Sequence, residues 1–232
     1  MSQLDMTVPG RKVASVAAFL SLPFAYLTQT LYVTAAGGDV GIFFEGAKIL
    51  AVSQQQAGYF YTAMWTDVLG YYLILIPVIV YAWKALRGVN ETLADIAFFC
   101  GTIFCLLGSF GAVTMAGAFN ILYASFSDAT LEQQAAAIAA WEATIYGQWR
   151  GLWLLEATLA FVFLVGLGRL LLDIGRTGLG GVAILLGLIW IVQFTTWQLG
   201  YHAVSDAALT AVVLLAPLWS AWLGVVLWRL RA

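Results

Sequence analysis

The sequence predicts an all-α membrane protein: a polytopic bundle of six transmembrane helices, with short interfacial helices in its outer loops. Three observations lead there. Of 232 residues, 62% are hydrophobic and only 9% are charged, against about 25% charged in soluble domains. Mean hydropathy is +0.91. Apolar runs recur at a length that suits a bilayer, where one helical span takes about 20 residues. The chain has length for six or seven such spans and little else, so residues 1–232 read as a single transmembrane domain.

The first run, 13–33, follows a polar tail and the pair Arg11-Lys12. A secretory leader has an apolar core of about 7–15 residues. This run is longer, so it reads as a span, bent at Pro23. Residues 34–57 open with Gly37-Gly38 and mix Ile42, Phe43, Phe44, Ile49 and Leu50 with Asp39, Glu45 and Lys48. That mixture predicts an interfacial or re-entrant segment. The second span covers 59–86, with Pro77 as its kink. The third covers 93–123, and its Gly101, Gly108, Gly111, Ala112 and Gly117 suit close approach of a neighbouring helix. Residues 125–147 form the longest connection, in which Thr130-Leu131-Glu132-Gln133 has the pattern of a capping box opening a short alanine-rich helix. The fourth span is 149–172. The fifth, 179–199, follows a glycine-rich turn, and the sixth, 207–228, holds Pro217.

Basic residues set the orientation. With six spans, Arg11, Lys12, Lys84, Arg87, Arg169, Arg176, Arg229 and Arg231 share one side, and only Lys48 and Arg150 oppose them. The positive-inside rule then places both termini of a multi-pass protein in the cytoplasm. A seventh span through 34–57 breaks this asymmetry. Asp39, Glu45, Asp128, Glu132, Glu142 and Asp206 make the opposite face acidic. A net charge of −2 gives no reason to expect nucleic acid.

Chemistry concentrates near that acidic side. On a helical wheel Trp149, Trp153 and Glu156 share one face, with Arg150 on its flank, about 100° round. A carboxylate at membrane depth normally faces the bundle interior or a water-filled cavity. Glu156 therefore reads as a cation or proton site, as a partner for a substrate amine, or as a neutral or salt-bridged strut holding helices together, with Arg150 as the candidate partner of the salt bridge. Asp67 shares a face of the second span with Phe60, Met64 and Tyr71. If the second and fourth spans are neighbours, the two carboxylates lie at comparable depth, an arrangement that suits proton exchange. The alternative for Asp67 is a solvated residue near the interface, which is weighted slightly higher. In the fifth span Trp190, Gln193 and Trp197 also share a face. Trp65, Trp83, Trp141, Trp219, Trp222 and Trp228 are assigned instead to the aromatic belt at the headgroup level.

Other chemistry is thin. The single histidine, His202, excludes bis-histidine haem within one chain and reads as a hydrogen-bonding residue in a short outer loop. Cys100 and Cys105 point about 140° apart on one helix, which excludes a disulfide between them. No metal site, cofactor site or catalytic set is predicted, and no nucleophile elbow or phosphate-binding loop is present.

The pattern Trp65-Thr66-Asp67-Val68-Leu69-Gly70-Tyr71-Tyr72 entering one helix, with Leu86-Arg87-Gly88-Val89-Asn90 opening the next, resembles bacterial six-helix membrane proteins grouped as a domain of unknown function. The resemblance implies an inner-membrane six-helix bundle and carries over no functional residue.

Three functions fit these residues. The first is an outward-facing acidic and aromatic pocket that binds or transports a small cationic or amphiphilic molecule, built from Glu156, Asp67, Trp149, Trp153, Arg150, Trp197, Gln193 and Tyr71. The second is a non-catalytic subunit of a larger membrane complex, with a protein partner or a second copy against its apolar faces. The third is an intramembrane enzyme acting on a lipid or quinone, with Glu156 as acid and base.

Overall fold

The computed structural model describes residues 9–229; the polar tail through residue 8 and Arg231 lie outside them. Six helices are long and apolar enough to cross a membrane: α1 (Arg11–Ala35), α2 (Gln54–Leu86), α3 (Glu91–Phe126), α4 (Leu131–Asp173), α5 (Thr177–Gln198) and α6 (His202–Arg229). The protein is an integral membrane protein of multi-pass type.

The helices form a closed ring in chain order. Each packs on its sequence neighbours, and α6 returns to pack on α1. Small residues make the closing seam. Ala14, Ser15, Ala18, Ser21 and Ala25 are buried on α1, and Gly224 of α6 lies so close that an added Cβ would sit 3.0 Å from the Ser15 carbonyl. Ser15 Oγ donates to the Gly224 carbonyl at 2.7 Å, and Ser21 Oγ and Ser220 Oγ lie 3.0 Å apart. Small residues let helices approach and let serine reach across, which substitutes for a hydrophobic drive that lipid does not supply.

Two spans are not uniform. α2 is regular over Gln54–Asp67, widens into a π-turn over Val68–Tyr72, tightens over Leu73–Leu75, and resumes over Ile76–Leu86. Pro77 explains the break: it lacks an N–H, and its ring excludes the carbonyl four residues earlier. The kink expected at Pro77 therefore falls in the turn before it. In α4 the alanine-rich helix capped by Thr130 does not lie in a separate loop. It runs on from Leu131 to Gly147, through a π-turn over Gln148–Leu152, into Trp153–Asp173. Gly147 immediately precedes that turn and Gly151 lies within it. Smaller corrections extend α3 and α6 beyond their expected ends, and α6 begins at His202, which is thus helical.

Residues 36–53 form a strap across the mouth end of the ring, the end opposite Arg11, Arg87 and Arg229. Gly37 and Gly38 turn it with φ of 61° and 94°, values that glycine adopts freely. A short turn over Val40–Phe44 and a single helical turn over Gly46–Ile49 follow. Phe43, Ile49 and Leu50 are buried. Phe43 and Phe60 centre 5.1 Å apart and Phe60 and Phe119 4.6 Å apart, with Trp141 on both Phe60 and Phe119. Trp141 is fully buried, and its Nε1 donates to the Phe43 carbonyl at 2.8 Å. It belongs to this core and not to the aromatic belt. Trp219 is a second correction: it is buried, and its indole donates to the Leu179 carbonyl at 3.0 Å. Trp65, Trp222 and Trp228 are exposed.

Candidate functional site

The ring surrounds a cavity of about 650 Å³, within the roughly 300–1,000 Å³ typical of small-molecule sites. Glu156, Asp67, Trp149, Trp153, Arg150, Trp197, Gln193 and Tyr71 all line it. At the mouth stand Val40, Gly41, Arg150, His202 and Asp206, all exposed.

Asp67 comes from α2 and Glu156 from α4, and both are buried, at 7% and 2% exposure. The expectation of a solvated Asp67 is therefore wrong: it continues the buried face that Phe60 and Met64 form on the regular part of α2. The salt-bridge alternative for Glu156 also fails. Arg150 lies over the Tyr146 ring at 4.3 Å and the Trp197 ring at 5.4 Å, and among the described residues no ion pair joins it to Glu156. Among the described residues, the buried side chains include no lysine or arginine. Two carboxylates thus share one cavity with no basic side chain buried beside them.

The π-turn of α2 adds a residue that helical spacing hides. On a regular helix Tyr71 falls near Asp67 while Tyr72 points about 140° away. The widened turn brings both tyrosines to the cavity. Tyr71 Oη donates to the Val213 carbonyl of α6 at 2.8 Å and accepts from Gln29 of α1 at 3.3 Å. Tyr72 is buried and lines the same cavity as Glu156. Pro77, five residues on, is the sequence signal for that displacement.

Several polar atoms in and beside the cavity have no protein partner: Glu156 Oε2, Gln193 Oε1, Gln148 Oε1 and Trp153 Nε1. Trp149 and Trp153 meet edge to face at 4.9 Å. Trp197 packs on the His202 ring at 4.4 Å. Ser205, beside His202 and Asp206 in sequence, donates to the Gln193 carbonyl at 2.9 Å, so its hydroxyl braces α5 against α6. Among the described residues no group of three His, Cys, Asp or Glu side chains is placed to hold a metal.

Glycines on α3 seat the rings that face the cavity. Gly101 receives Phe163, Gly108 receives Tyr72 and Gly111 receives Trp153; Gly117, expected to do the same, faces open space. A Cβ at Gly108 would lie 2.0 Å from the Tyr72 ring. Gly108→Ala is expected to destabilise the protein by about 1–3 kcal/mol through overpacking, read as a fall in Tm. Tyr72→Phe, which keeps the ring in place, should melt closer to wild type. A Gly108→Ala protein with wild-type Tm would show that the ring is not confined by α3.

No family model matches the chain, and neither a curated protein nor a solved structure matches it.

Proposed function

We propose that this is a protein of the bacterial inner membrane, with both ends of its bundle on the cytoplasmic side, that binds a small organic ammonium ion in the central cavity as a receptor or carrier. The orientation rests on the basic residues at the ends of α1, α2, α4 and α6, and places the cavity mouth on the outer side. The layout also resembles the six-helix bacterial family noted above. The ligand class rests on one observation: Asp67 and Glu156 are buried in one cavity without a basic partner. A carboxyl buried without a basic neighbour either holds its proton or is paired, and a cationic ligand supplies the pair. Glu156 Oε2 and Gln193 Oε1 are acceptors lacking donors, which favours an amine bearing N–H over a quaternary ammonium. Trp149 and Trp153 add aromatic rings that attract a cation.

The test is melting of the protein in lipid nanodiscs with benzylammonium and, separately, benzoate. Benzylammonium should raise Tm in proportion to its occupancy, and benzoate should not. No shift with benzylammonium, or an equal shift with benzoate, rules out the cation site.

A further inference from the structure

We propose that the ligand is a single-chain ammonium amphiphile, its head held at Asp67, Glu156 and Gln193 and its chain directed inward. This rests on the cation reading above and specifies the rest of the molecule.

The cavity does not stop at the carboxylates. Beyond them, towards the end of the ring that carries the basic residues, it is walled by Ile79 and Val78 of α2, Ala160, Leu164 and Leu167 of α4, and Ala216 of α6. From Glu156 to Leu167 an α-helix rises about 16 Å, enough for an extended alkyl chain of medium length. The polar groups near this floor are already engaged. Ser21 Oγ donates to the Ala18 carbonyl at 2.8 Å and Ser220 Oγ to the same carbonyl at 3.3 Å, while the Trp219 indole is held by Leu179. Nothing there calls for a polar ligand atom.

The chemistry therefore divides along one axis. Aromatic rings and Arg150 stand at the mouth, unpartnered acceptors and carboxylates in the middle, and aliphatic wall below. A short polar amine would satisfy the middle tier and leave the lower one in contact with water, which is unfavourable for apolar surface. A molecule with one chain matches both tiers. Ala160 and Ala216 matter most, since their small side chains leave the width that a chain occupies.

The experiment measures Kd for alkylammonium ions from butyl to dodecyl, with protein in nanodiscs, for wild type, Ala160→Leu and Ala216→Leu. In the wild type each added methylene should tighten binding about fourfold until the chamber is filled. Longer chains also partition into the bilayer, but equally for every variant. The decisive quantity is thus the ratio of butyl to dodecyl Kd, which should fall tenfold or more in the leucine variants. The two substitutions sit on different helices, so one reports if the other fails to fold. A ratio unchanged in the folded variants, with benzylammonium still binding the wild type, overturns the chain and leaves the cation site standing. Failure of every ammonium ion, benzylammonium included, overturns both.

Discussion

Trp141→Ala should lower stability by about 3–5 kcal/mol, the range for truncating a buried tryptophan. The side chain is fully enclosed, and it joins three parts of the mouth end: the strap through Phe43, α2 through Phe60 and α3 through Phe119. Truncation removes the rings' shared contact and also strands the Phe43 carbonyl, and an unpaired buried acceptor costs about 1–3 kcal/mol. Trp141→Phe separates the two effects, since it keeps most of the ring volume and loses only the N–H. The strap is also held by Gly46 N–H to Glu142 at 3.1 Å, by Tyr123 Oη to the Val52 carbonyl at 3.1 Å, and by Phe44 against Tyr146 and Trp149, none of which passes through Trp141. Loosening should therefore be local before it is global. Lys48 offers a readout, because trypsin cleaves after it. Trp141→Ala should show a clear fall in Tm together with faster cleavage at Lys48, and Trp141→Phe an intermediate rate. Unchanged Tm and unchanged cleavage would mean that the strap is held by something other than this cluster.

The distribution of legible and hidden features follows from what a helical repeat encodes. Span number was legible because lipid demands long apolar runs, and each of the six appears as a helix close to where composition put it. The small-residue face of α3 was legible too, through Gly101, Gly108 and Gly111. What a repeat of 3.6 residues misses is any departure from it. Tyr72 was invisible because a π-turn moves it, whereas Asp67 was misread as solvated although regular spacing puts it on the buried face of Phe60 and Met64, because a repeat gives a shared face and not which face the ring covers. Trp141 was assigned to the headgroup level because sequence gives a tryptophan's depth and not whether another segment covers it. That segment is the strap, whose alternation of apolar and charged residues gave its interfacial character but not its partner. The ring closure of α6 on α1 was likewise out of reach, since the serines that make it, Ser15 and Ser220, lie some two hundred positions apart.

Glu156→Gln should weaken benzylammonium binding by about 100-fold or more while leaving the fold intact. Glutamine has the same shape, so no cavity opens, and what disappears is the charge. Losing one partner of a buried charge pair costs about 2–5 kcal/mol in binding, and every 1.4 kcal/mol is tenfold. Stability should move the other way. A buried carboxylate without a basic neighbour is a liability to the unliganded protein, and an amide relieves it, so the variant's Tm without ligand should equal or exceed that of wild type. This opposition of signs distinguishes a binding residue from a strut, whose removal would lower Tm. Asp67→Asn should act in the same direction. Because both carboxylates face one cation, the double variant should lose less than the product of the single losses, as expected for residues that share a partner. Calorimetric titration of the four proteins with benzylammonium measures this directly. A Glu156→Gln protein that binds within twofold of wild type, or melts well below it, would remove Glu156 from the site.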